Sequence, residues 1–141
     1  MNSVVLVAPR GYSADFKAKI PAGYRVFEGA GHSTVIEDGT TRVYLSQNDS
    51  VRQELEREEL GRILSTISDP IFYTIDYSDI NLCKAVLLSI ADDPQVLIDN
   101  DHGTLLPGPD FVRLLRSQQG WDWRRDLALI RAACLSTEPS D

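Results

Sequence analysis

Asp76, Asp79, Asp99, Asn100, Asp101 and His102 are the residues of this chain whose types and spacing come nearest to a reactive site. Clustered carboxylates can hold a hard divalent cation through their oxygens. They can also split their proton affinities by mutual repulsion, so that one acts as an acid and the other as a base. The metal ligands would be Asp76, Asp99 and Asp101, and with His102 they would serve a metal-dependent hydrolase or nucleotide-acting enzyme. The run from Asp99 to Asp110 departs from a calcium loop, because Gly103 stands at its fifth position rather than the sixth, and Leu105 and Pro107 occupy the seventh and ninth. The plainer reading is structural, with Asp99, Asn100 and Asp101 making side-chain turns ahead of Gly103.

Other reactive patterns are absent. The chain contains no Walker sequence, no His-Glu-x-x-His, no Cys-x-x-Cys and no Gly-x-Ser-x-Gly. Gly29-Ala30-Gly31 follows a strand pattern, but Thr34 replaces the third glycine of a dinucleotide turn and another strand pattern follows. His32 reads as a loop histidine without a nucleophile in context, and Cys83 and Cys134 fall inside apolar helical patterns, as reduced core thiols do. No cofactor is expected.

Charge is more informative than motif. Against 14 Lys and Arg the chain carries 21 Asp and Glu, a formal charge of −7, and the imbalance is local: residues 1–48 carry +1, 49–110 carry −9 and 111–141 carry +1. A surface of that sign repels nucleic acid phosphates and steers basic partners toward itself. Partner-binding residues are therefore expected among Glu54, Glu58, Glu59, Asp76, Asp99, Asp101 and His102, with Trp121 of Trp121-Asp122-Trp123 as an aromatic anchor. The same tryptophans would serve equally to seal a helix onto the core, or to lie between the chains of a homo-oligomeric adaptor.

These residues need elements to position them. Val4-Val5-Leu6-Val7, bounded by Pro9 and Gly11, reads as a buried strand. Ser13 to Ile20 reads as a short helix and Tyr24 to Phe27 as a second strand, and Thr34 to Glu37 with Thr41 to Leu45 reads as a hairpin about Asp38-Gly39. Ser50 and Gln53 have the spacing of a capping box, opening an amphipathic helix with Val51, Leu55, Leu60, Ile63, Leu64 and Ile67 on one side. Ile71 to Ile75 predicts a strand, Ser78 caps a largely apolar helix to Ala91, and Val96 to Ile98 predicts the next strand, which together make a βαβ unit with parallel strands. Parallel pairing would place Asp76 and Asp99 at one sheet edge. Pro109 opens another helix and Asp122 a last one. The expected fold is α+β (or α/β), a mixed sheet with an N-terminal antiparallel hairpin and a C-terminal βαβ unit packed by three to four helices. It forms one domain over residues 1–135 with a loose tail over 136–141. The longest apolar runs fall well short of a membrane span, and a soluble cytoplasmic protein without nucleic-acid or membrane partners is expected.

Val96-Leu97-Ile98-Asp99-Asn100-Asp101-His102-Gly103, then Leu106-Pro107-Gly108, Phe111 and Trp121-Asp122-Trp123, resembles a feature of small bacterial proteins, some of them similar to immunity proteins of contact-delivered toxin systems. The resemblance covers about the last third of the chain. It implies a non-enzymatic protein that neutralises a cognate toxin by stoichiometric binding, and an acidic surface would suit a toxin with a basic substrate groove.

Overall fold

The computed structural model describes residues 2–12, 15–100, 104–117 and 123. Its strands are β1 (Asn2–Pro9), β2 (Arg25–Glu28), β3 (Thr34–Glu37), β4 (Arg42–Gln47), β5 (Pro70–Tyr77), β6 (Leu97–Asp99) and β7 (Leu105–Pro107). Its helices are α1 (Phe16–Lys19), α2 (Val51–Glu54), α3 (Arg57–Thr66), α4 (Ile80–Ile90) and α5 (Gly108–Ser117). The strands form one sheet in the order β2-β3-β4-β5-β1-β6-β7, and every neighbouring pair is antiparallel. The architecture is α+β.

The expected parallel pairing of β5 with β6 does not occur. The two strands do run in the same direction and are joined through α4, but β1 lies between them and pairs antiparallel with both. The physical reason is β1 itself. Its unbroken apolar run, Val4 to Ala8, has no polar face to turn to water, so it is best placed between two strands and beneath side chains on both faces. Val4, Leu6 and Ala8 enter the larger core with Ile75, Tyr77, Leu87, Ile98 and Phe111, under α1, α4 and α5. Val5 and Val7 enter a smaller core on the second face with Val51, Ile63, Ile67, Phe72 and Leu97, under α2 and α3.

Local chemistry sets the connections. Asp38 accepts hydrogen bonds from the backbone N–H groups of Thr40 and Thr41 (2.9 and 2.8 Å), and Gly39 takes φ +104, which closes the β3–β4 hairpin as expected. The helix after β4 is broken, where a continuous one was expected. Leu55 and Glu56 are extended, and Ser50 makes no capping bond, its hydroxyl donating instead to Asn48 Oδ1 (2.6 Å). The break moves Glu58 and Glu59 from mid-helix into the first turn of α3, where the exposed N–H groups favour negative charge. At α4 the cap is Asp79 rather than Ser78, its carboxylate accepting from Asn81 N–H (2.8 Å). Among the described residues no helix is long and apolar enough to cross a membrane.

Trp123 is fully buried inside this chain, edge-on to Tyr77 (5.8 Å between centroids) and tilted on Phe111 (5.6 Å). Its place is in the core, not between chains. Trp121, Cys134 and the helix expected from Asp122 lie outside the described residues.

Candidate functional site

A concavity opens on the second face, between the sheet and the α2–α3 pair. It encloses about 570 Å³ and is lined by Ser3, Val5, Asn48, Val51, Glu54, Leu55, Glu56, Glu59, Thr74 and Asp99. Strand alternation explains the floor. Ser3 and Val5 of β1, Thr74 of β5 and Asp99 of β6 all face this side, because Val5 pairs with both Thr74 and Asp99 in the ladder. The rim comes from the helix break: Glu54 ends α2, Glu56 lies in the extended link, and Glu59 is in the first turn of α3. Four of the ten lining residues are carboxylic acids and none is Lys or Arg.

Asp99 is 1% exposed, an unusual position for a carboxylate. Glu59 faces it across the cleft. A hydrogen bond to Asp99, partial burial and the Asp99 charge together push the Glu59 carboxyl up to about 7, with Arg62 acting in the opposite direction. Beside the floor, Ser3 Oγ donates to Asp76 Oδ1 (2.5 Å). Thr74 Oγ1 is buried with no hydrogen-bond partner among the described residues.

Of the residues expected from sequence, Glu54, Glu59 and Asp99 meet in this cleft, and Asp76 adjoins it through Ser3. Glu58 is exposed on α3 and is not part of the lining. Asp101 and His102 lie outside the described residues. Asp76 and Asp99 do share a sheet face, but β1 separates them and they are offset by two residues along it. At ordinary strand spacing this sets their Cα atoms about 12 Å apart, too far to share one cation directly. Among the described residues no group of three or more His, Cys, Asp or Glu side chains is arranged to hold a metal ion. Asp110, the last residue of the calcium-loop comparison, instead pairs with Arg113 on α5.

Asn100 bears out the structural reading of its turn. Its Oδ1 accepts from Thr104 N–H (3.0 Å) and its Nδ2 donates to the Trp123 carbonyl (2.9 Å). The amide thereby closes the β6–β7 hairpin and ties it to the larger core. Cys83 is fully buried and burial pushes its thiol up, which makes it unreactive. Sequence reasoning missed Glu56 as a site residue, and also Ser3, Asn48 and Thr74. Ser3 carried one usable signal, since it alternates with Val5 and Val7 on one face of β1.

No family model matches the chain, and the comparisons with curated proteins and with solved structures found no match.

Proposed function

We propose that this protein is a non-enzymatic inhibitor of the immunity type, which neutralises a cognate bacterial toxin in the cytoplasm by taking cationic side chains of the toxin's basic groove into the acidic cleft. The observation that carries this reading is the cleft itself: Glu54, Glu56, Glu59 and Asp99 surround about 570 Å³ with no lysine or arginine in the lining. Such a site favours a guanidinium or ammonium group over an anion, and a partly buried charge pair contributes more than one fully in water. Asp76 and Glu58 extend the acidic surface around it. The resemblance of the last third of the chain to immunity proteins supports the same reading.

The test is co-purification with the toxin encoded beside this protein's gene, followed by affinity measurement across salt concentration. Wild type should form a one-to-one complex that weakens as salt rises, and Glu54→Lys with Glu59→Lys should weaken it at least tenfold, the scale of losing 1.4 kcal/mol or more. Unchanged affinity in that double variant rules the cleft out as the contact.

One observation favours a second reading, a hydrolase. The Glu59 carboxyl is pushed up to about 7 in a cleft that it lines together with Asp99, which suits a general acid. This reading requires turnover of a small ester, glycoside or nucleotide that disappears in Glu59→Gln; the inhibitor reading requires none.

A further inference from the structure

We propose that this chain pairs with a second copy of itself along β2, so that two sheets become one about a two-fold axis at Val26. β2 and β7 are the edges of the sheet. β7 is three residues long and ends in Pro107, features that discourage the addition of another strand. β2 has no proline, lysine or bulge, and among the described residues no strand pairs with its outer side.

The ladder fixes which backbone groups face outward. Gly29 N–H donates to the Ser33 carbonyl (2.7 Å), in line with the β2–β3 register, and hydrogen-bonded pairs alternate along an antiparallel ladder. Arg25 and Phe27 therefore bond to β3, while the N–H and C=O groups of Val26 and Glu28 point away from it. Two identical antiparallel edges are related by an axis perpendicular to the sheet, so each face meets the same face of the other copy. Setting Val26 opposite Val26 gives every outward residue a partner, with Glu28 beside Tyr24 of the second copy.

The side chains fit that register. On the larger-core face Tyr77, Val43, Ile36 and Val26 make one apolar row across β5, β4, β3 and β2. The row stops at the edge with Val26 only half-buried, and in the pair it runs on through Val26 of the second copy. Next to it lies a concavity of about 230 Å³ lined by Lys17, Val26, Phe27, Glu28 and Thr34. Tyr24 of the second copy falls opposite Glu28, so its ring enters this space and its hydroxyl meets the Lys17 and Glu28 charges. On the other face Arg25 stands opposite Phe27 of the second copy. Its guanidinium already lies over its own Phe27 ring (5.1 Å), and the same contact forms across the axis.

Charge favours this edge as well. Residues 1–48, which supply β2, β3 and β4, carry +1, against −9 for residues 49–110. Copies that meet through β2 keep their acidic segments apart, whereas contact through the other end would set them against each other. The acidic cleft on β1, β5 and β6 stays open, and the pairing stands independently of the toxin reading.

Sedimentation of the untagged chain tests it, over about 10 µM to about 1 mM because the contact is small. Wild type should show a reversible monomer–dimer equilibrium. Val26→Pro removes an outward N–H and no bond to β3, a place where an edge strand accepts proline, and should raise Kd at least tenfold through loss of the two bonds at the axis. Amide exchange of wild type reads the register: protection of the Val26 and Glu28 amides should rise with protein concentration, and that of Arg25 and Phe27 should not change. A chain that stays monomeric at the highest concentration, or a dimer that Val26→Pro leaves intact, overturns the proposal. Should the variant not fold, the exchange data decide, and Val26 and Glu28 amides indifferent to concentration overturn it.

Discussion

Gly108→Ala should be among the most damaging single-methyl additions available in this protein. A Cβ built on Gly108 would lie 2.1 Å from the Ala91 carbonyl oxygen, 2.6 Å from Val96 Cγ2 and 3.1 Å from the Asp93 carbonyl oxygen. Two of the three obstacles are backbone, so no rotamer change relieves them. The start of α5 cannot simply move away either, since Gly108 N–H donates to the Val96 carbonyl (2.8 Å) and Phe111, Val112 and Leu114 are buried just beyond. Overpacking a rigid site costs about 1–3 kcal/mol, and a backbone obstacle at this range belongs at the upper end, about 3 kcal/mol. For a chain of this length each kcal/mol lowers Tm by about 3 °C, so a loss near 9 °C is expected. Urea unfolding at constant slope measures the same quantity. A loss below about 1 kcal/mol would mean that α5 does not begin against the α4–β6 connection, and the reasoning would fail.

Further outcomes follow from the same packing. Ile63→Ala removes the one fully buried side chain of α3 and should cost about 2–4 kcal/mol by denaturant unfolding, with raised proteolysis between residues 55 and 67. Trp123→Ala should cost about 3–5 kcal/mol and leave the association state unchanged in sedimentation, since Trp123 packs on Tyr77 and Phe111 of its own chain. Stability should peak in mild acid. The backbone bonds of Thr41 and Thr40 hold the Asp38 carboxyl below its ordinary 3.8, and Arg10 does the same for Asp69, so their contributions are present above about 3.8 and are lost as the pH falls further. Glu59 works in the opposite sense, its contribution declining as the pH rises from 4.5 to about 7, so Tm should be highest near pH 4 to 5, and Glu59→Gln should flatten the alkaline side.

Local signals carried most of the elements. Asp38-Gly39 marks the β3–β4 hairpin because carboxylate acceptance and a positive φ are both properties of single residues, and Pro109 marks the start of α5 in the same way. Strand order was not legible. The apolar run Val4 to Ala8 announces a strand buried on both faces but not which strands flank it, and β1 proves to be the wedge between β5 and β6. The break at Leu55 and Glu56 was equally hidden, since neither residue is Gly or Pro. It reflects tertiary demands: Val51 and Ile63 must both reach the smaller core, and Glu58 and Glu59 are better placed at a helix start. Asp99 stood out in the sequence, but its acidic partner did not. Glu59 precedes it on a different element, and only the fold brings the two to opposite sides of one cleft.

Binding at that cleft is tested by comparing the partners that three baits capture. Tagged wild type, Glu54→Lys/Glu59→Lys and the control Glu28→Lys, on the edge strand β2 away from the cleft, are used as bait in native lysate under a moderate-salt wash. Wild type and the Glu28→Lys control should both retain one stoichiometric basic partner, the toxin, and the cleft variant should lose it. Retention of that partner by the cleft variant, or no partner on any of the three baits, would mean that the cleft does not bind a toxin.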